Sequence, residues 1–219
     1  MLKPILFNTE MVRALLDGKK TQTRRIVKKK YSNTDLVMFT NKYGTRLVER
    51  QNDVPPPVKH PDGSTTRQLT AICELTPPFK YGDILWVRET FDDVALGNPW
   101  YYKADGDLRP ECWKGERWKP SIHMPREAAR IFLRVKSVRA ERLQDMDEEA
   151  ALAEGIDDSP AGTDSPLQRF SELWDSTIRR DQLREFGFDA NPWVWVIKFE
   201  QCDKLEAFWW LAEDEKEGT

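Results

Sequence analysis

Residues 193–200 read Trp-Val-Trp-Val-Ile-Lys-Phe-Glu, which puts Trp193, Trp195, Ile197 and Phe199 on one face. Aromatic and β-branched residues alternating in this way make a strand with one buried side. Ile131, Leu133 and Val135 alternate with Phe132, Arg134 and Lys136, so a second half-buried strand with a basic outer face is expected over 131–138. Helical spacing fills the stretch between them. Asp145 is read as the cap of a helix over 145–155, with Glu148 at the capping-box position and Gly155 at its end. Pro166 opens another helix carrying Leu167, Phe170, Leu173 and Trp174. Near the N-terminus, residues 9–17 form a short helix. Thr9 is its expected cap, Met11, Val12, Leu15 and Leu16 its apolar stripe, and Gly18 the left-handed residue after it. Helices and strands do not alternate regularly. The expected class is therefore α+β, a small mixed or antiparallel β-barrel with flanking helices, rather than a doubly wound sheet.

The 219 residues suit one domain. Tyr81-Gly82-Asp83 is a turn into a strand over 84–89, and residues 100–104 suggest another strand. Residues 31–80 look like a largely polar elaboration. They contain a hairpin of 35–40 and 45–50 around Asn41–Gly44, a proline-rich loop over 54–68, and a short strand in 70–75. A linker follows at 159–166. The division expected is a single domain over 1–203, with an insertion at about 28–78 and an acidic, frayed tail over 204–219.

A net charge of −3 excludes a globally basic nucleic-acid coat. Nine tryptophans are read mostly as core. Cys73, Cys112 and Cys202 lie far apart with no CxxC pair, which argues against a disulfide framework or zinc finger and for a reducing compartment. Two histidines are too few for a typical zinc or di-metal centre, so no metal is expected. The N-terminus lacks a signal-peptide pattern and no apolar run reaches membrane-spanning length, so the expected location is the cytoplasm, without a membrane partner. GxGxxG, P-loop, GxSxG and HExxH patterns are absent, and no cofactor is expected.

The sharpest charge feature is residues 19–30, with seven Lys or Arg and no acid. Such a run is either a phosphate-contacting edge or a solvated face. Within it, Lys20, Thr23 and Arg25 are spaced so that an extended or turning backbone can aim them at one cleft. A lysine partly withdrawn from water can act as a base, a threonine hydroxyl as a nucleophile, and a carboxylate as general acid. Composition does not identify that carboxylate.

The run Leu16-Asp17-Gly18-Lys19-Lys20-Thr21-Gln22-Thr23-Arg24-Arg25 resembles the signature of the ASCH family, a branch of the PUA-like β-barrels. Tyr81-Gly82-Asp83-Ile84-Leu85-Trp86-Val87-Arg88-Glu89 resembles the family's Gly-Asp turn before a core strand. Trp118-Lys119-Pro120-Ser121-Ile122-His123-Met124-Pro125 is similar to a phrase in phage and prophage members. Small bacterial members of the family hydrolyse N4-acetylcytidine with a Lys, Thr and Glu set, so the resemblance implies an amidohydrolase with Lys20, Thr23 and Glu154 as the catalytic residues. In those enzymes Asn follows the Glu, whereas Gly155 stands here. Lys19, Arg24, Arg25, Trp86, Glu89 and His123 are the residues expected to touch the substrate or nucleic acid. The expected ligand is a nucleoside or RNA, with DNA a further candidate. The alternatives are a non-catalytic module that binds a modified base, and a phage accessory protein. For Trp86, Glu89 and His123, the competing roles are a core residue, a salt bridge and a backbone-satisfied ring.

Overall fold

The computed structural model describes residues 1–42, 44–52, 58–62, 65–66, 73–93, 100–157 and 164–207. In chain order the elements are β1 (Leu2–Leu6), α1 (Thr9–Leu16), β2 (Gln22–Ile26), β3 (Thr34–Asn41), β4 (Gly44–Gln51), β5 (Val58–Lys59), β6 (Thr65–Thr66), β7 (Cys73–Glu74), β8 (Ile84–Arg88), β9 (Phe91–Asp92), β10 (Tyr101–Tyr102), β11 (Phe132–Arg142), α2 (Glu148–Ala153), α3 (Pro166–Thr177), α4 (Leu183–Phe186) and β12 (Trp193–Cys202). Short 3-10 turns lie between several of them, including Lys103–Asp105 and Ser121–His123.

The principal sheet has the order β1-β8-β11-β12-β2. Only β1 and β8 run parallel within it; the other three pairings are antiparallel. The class is α+β. Because β1 and β2 lie at opposite edges, the described strands do not close into a barrel.

Strand β12, between β11 and β2, is buried on both faces from Val194 to Ile197. Trp195, Ile197 and Phe199 pack with Leu133, Val135, Val12 and Leu15 on one side. Val194 and Val196 pack with Leu143, Ala151, Phe170 and Trp174 on the other. Full burial of each such aliphatic side chain contributes about 1.5–3 kcal/mol. The alternation expected in 193–200 therefore holds, but its second face is covered too, by α2 and α3. Strand β11 begins at Phe132 and runs to Arg142, with a shift of register between Val135 and Ser137.

The hairpin β3–β4 forms as expected, and β7 adds to it. Its surroundings correct the picture of a polar elaboration: Leu36, Leu47 and Leu75 join the main core. The Trp193 indole N–H also donates to the Leu36 carbonyl at 3.0 Å. Within the stretch expected to be loop, β5 and β6 pair as a two-residue ladder. Residues 53–57, 63–64 and 67–72, which cover much of that loop and part of the 70–75 strand, lie outside the described residues. Glu49, 1% exposed, accepts from the Lys30 and Tyr31 backbone N–H groups and from the Thr34 hydroxyl. Together these donors outweigh the upward push of burial and hold its carboxyl below the usual range.

Both expected helix caps are displaced. Asn8, not Thr9, caps α1 through Met11 N–H at 2.8 Å. Asp147, not Asp145, caps α2 through Ala150 N–H at 2.7 Å. Asp145 instead accepts from Arg142 N–H in the preceding turn. Pro166 starts α3 as anticipated, and the Ser165 hydroxyl caps it by accepting from Gln168 N–H. The linker 158–163 lies outside the described residues, as do 208–219. The beginning of the acidic tail does not fray: residues 204–207 are helical, Asp203 accepts from Glu206 N–H, and Ala207 is buried beside Ile84, Ala129 and Phe132. Among the described residues no helix is long and apolar enough to cross a membrane.

Candidate functional site

Helix α1 closes on Gly18, whose φ of +71° lies in the left-handed region that side chains avoid. The amides of Lys19 and Lys20 both return to the Ala14 carbonyl, at 2.9 and 3.0 Å. The chain then meets the end of α2: Thr21 N–H donates to the Ala153 carbonyl, and the Gln22 side-chain amide to the Ala150 carbonyl. This stitching brings Glu154, the C-cap of α2, onto Lys20 from 134 residues away.

Gly155 permits the close approach. A Cβ there would lie 2.7 Å from Ala14 Cβ and 3.1 Å from Lys20 Cβ, and its φ is +92°. Any side chain here would collide with them, so the glycine follows from how α2 sits.

The Lys20 side chain is 0% exposed. Its Nζ donates to the Glu154 carbonyl at 2.6 Å and to Glu154 Oε2 at 2.8 Å, and stands 5.5 Å from the centre of the Phe7 ring. The other Glu154 oxygen, Oε1, accepts from Arg24 Nη1 at 3.0 Å. Arg24 also donates through Nε and Nη2 to Glu141 Oε1, at 3.1 and 2.7 Å. Burial pushes the Lys20 ammonium below the usual lysine range; the Glu154 carboxylate opposes the shift, and Arg25 and Arg24 reinforce it.

In front of this network is a cleft of about 200 Å³, lined by Leu6, Asn8, Met11, Thr23, Arg24, Arg25, Glu154, Phe170, Leu173, Trp174 and Thr177. Thr23 is buried, and among the described residues no hydrogen bond reaches its hydroxyl. Arg25 donates to the Leu6 carbonyl at 2.9 Å and lies 5.4 Å from the Phe7 ring centre. One wall is apolar and aromatic, contributed by α3, and the other carries the basic strand β2. Such a concave site with few convergent polar groups suits a small flat ligand.

Of the residues expected from sequence, Lys20, Arg24 and Glu154 share the buried network, and Thr23, Arg24, Arg25 and Glu154 line the cleft. The remaining four are elsewhere. Lys19 is exposed and pairs with Asp157 at 3.0 Å. Trp86 packs partly buried against the Ile84, Ala129 and Phe132 cluster, under the Arg88 guanidinium. His123 is exposed in the Ser121–His123 turn. Glu89, 1% exposed, is held by Arg130 through Nε–Oε1 at 2.8 Å and Nη2–Oε2 at 2.9 Å. The basic run is thus split: Lys20 and Arg24 are buried, Arg25 is half-buried at the cleft, and Lys19 and Lys28–Lys30 stay exposed.

Three participants were not anticipated. Glu141 shares Arg24 with Glu154. Phe170 and Trp174 wall the cleft, although their spacing marked them only as core. The four-residue interval between two aromatics was the available signal, and it does not separate a core face from a cleft wall. Comparison with family models, with curated protein sequences and with solved structures returns no significant match.

Proposed function

We propose that the chain is an ASCH-type protein of PUA-like architecture whose cleft takes the base of a nucleoside, free or within RNA, and hydrolyses an N-acyl group on it. One observation carries this reading: a buried lysine bonded to a carboxylate backs a cleft into which a threonine with an uncommitted hydroxyl opens. The cleft's 200 Å³ is below the about 300–1,000 Å³ of sites for drug-sized molecules. It suits one planar ring with a small substituent, leaving sugar and phosphate outside.

As an ion pair, Lys20 cannot accept a proton. Moving one proton along the 2.8 Å hydrogen bond to Glu154 gives a neutral amine and a carboxylic acid without changing the proton count. The amine takes the hydroxyl proton of Thr23 as Oγ1 attacks the acyl carbon. Arg25 supplies positive charge for the developing oxyanion. The C–N bond breaks, and the ring amine leaves with the Glu154 proton. Water then attacks the acyl-threonine, giving a proton to the Glu154 carboxylate, while the Lys20 ammonium reprotonates Thr23 Oγ1. The starting amine and acid are restored.

A second reading is binding without turnover. Arg24 favours it, because its bond to Glu154 stabilises the ionised carboxylate and opposes the proton transfer that activates Lys20. The exposed Lys19 and Lys28–Lys30 would then meet phosphates, and affinity would fall steeply with salt.

Incubation with N4-acetylcytidine and other N-acylated nucleosides, followed by chromatography, separates the two readings. Turnover by the parent, lost in Lys20→Ala and Glu154→Gln, is the expected result. No turnover by folded protein refutes the hydrolase reading, and salt-sensitive RNA binding then supports the second.

A further inference from the structure

A second concavity, of about 430 Å³, lies away from the cleft residues and is lined by Trp100, Tyr101, Tyr102, Asp105, Leu108 and Arg130. Its walls are braced. Trp100 packs on Phe91 with ring centres 5.9 Å apart. The Tyr102 hydroxyl donates to the Ala128 carbonyl at 2.7 Å, and the Arg130 guanidinium lies 3.9 Å from the Tyr102 ring centre. Arg130 in turn is clamped by two carboxylates, Glu89 from behind and Asp105 at the pocket.

The bonds of this clamp leave a specific remainder. Arg130 donates Nε to Glu89, both Nη2 hydrogens to Glu89 and Asp105, and one Nη1 hydrogen to Asp105 Oδ2 at 2.7 Å. A guanidinium has five N–H donors, so one on Nη1 is not used by these bonds. Each Asp105 oxygen accepts one bond from Arg130 and keeps a further lone pair. Nη1 and Oδ2, bonded to each other, therefore offer an unused donor beside an unused acceptor. A nucleobase edge carries the complement, a ring nitrogen or carbonyl next to an N–H, on a flat ring that stacks on aromatics.

We propose that this pocket is a second base-binding site, stacking a nucleobase on Trp100 and Tyr101 and reading its edge with the Arg130–Asp105 pair. Glu89 is a positioning residue: it holds Arg130 in register and does not touch the base. The proposal does not depend on the chemistry assigned to the cleft. Its readout is the loss of binding in variants of Tyr101 and Leu108, which line this pocket and not the cleft, so either can fail alone.

The test is titration of the full chain with adenosine and with purine riboside, which lacks only the exocyclic amine, by equilibrium dialysis. Adenosine binds, and purine riboside binds about tenfold more weakly for want of one hydrogen bond to a charged acceptor. Tyr101→Ala weakens adenosine about tenfold or more by removing a stacking wall. Leu108→Asp, at a residue 69% exposed, cannot disturb the core and also weakens binding by placing a charge at the pocket wall. Failure of the parent to bind adenosine overturns the proposal. So does equal affinity for the two nucleosides, or binding that persists unchanged in both variants.

Discussion

Glu154→Gln keeps the shape of the side chain and removes its charge. Arg24 retains Glu141, but Lys20, with no exposed side-chain surface, loses its one carboxylate partner. Breaking a buried ion pair from one side costs about 3–5 kcal/mol. Lysine has an escape, which is to release its proton. From its ordinary pKa of 10.5, neutralisation at pH 7 costs about 1.4 kcal/mol for each of roughly 3.5 pH units, a ceiling of about 5 kcal/mol. At pH 9 the same ceiling is about 2 kcal/mol. The sign follows from proton binding: between the lowered folded pKa and 10.5, the unfolded chain holds a proton that the folded chain lacks, so stability rises with pH in that window. For a chain of 219 residues each kcal/mol moves Tm by about 2–4 °C. The variant should therefore melt about 6–20 °C below the parent at pH 7 and no more than about 8 °C below it at pH 9. Thermal unfolding followed by circular dichroism at the two pH values measures both. Lys20→Met combined with Glu154→Gln strands no charge and should recover most of the loss. A Glu154→Gln protein that melts with the parent, or a deficit equal at both pH values, would refute the reasoning.

The displaced caps predict that Asp147→Ala costs about 0.5–2 kcal/mol in denaturant unfolding while Asp145→Ala costs clearly less. Gly155→Ala must adopt a left-handed φ and push Ala14 or Lys20 aside, so it should lose about 1–3 kcal/mol from backbone strain alone and report in the cleft as well as in Tm. Glu49, whose folded pKa lies below its ordinary 4.5, stabilises the fold above that value and loses its contribution as pH falls through the folded pKa. The stability gap between the parent and Glu49→Gln should accordingly be widest above about pH 5 and close on acidification; a gap that widens in acid would contradict this.

Strands and helices were legible where a periodic pattern met a clear boundary. Alternation marked β11 and β12, and Pro166 with its apolar spacing marked α3. Capping was legible only to within a residue or two. Asn8 and Thr9, or Asp145 and Asp147, are chemically interchangeable as caps, and the turn geometry decides which oxygen reaches the amide. The site was harder. Lys20 and Glu154 meet across most of the chain, and no local pattern distinguishes Glu154 from its solvated helix neighbours; the family resemblance alone singled it out. Glu141 gave no signal, since it lies beyond the strand expected over 131–138 and only the longer β11 of the structure carries it. Glu89 sat at a strand end as supposed, but its burial is answered by Arg130, and that pairing depends on a loop whose path the sequence does not reveal.

The order of the principal sheet also bears on biosynthesis. Strand β2 has one neighbour in that sheet, β12, which begins at Trp193. A ribosome releases Thr23 and the arginines beside it long before that neighbour exists, and Glu154 also emerges well after Lys20. The basic segment must wait, unpaired, while most of the polypeptide is translated. Pairing between strands so distant along the chain is slow to nucleate. Nascent chains stalled before residue 193 should hold this segment open to proteases and to holdase chaperones, and it should become protected only after β12 has cleared the exit tunnel.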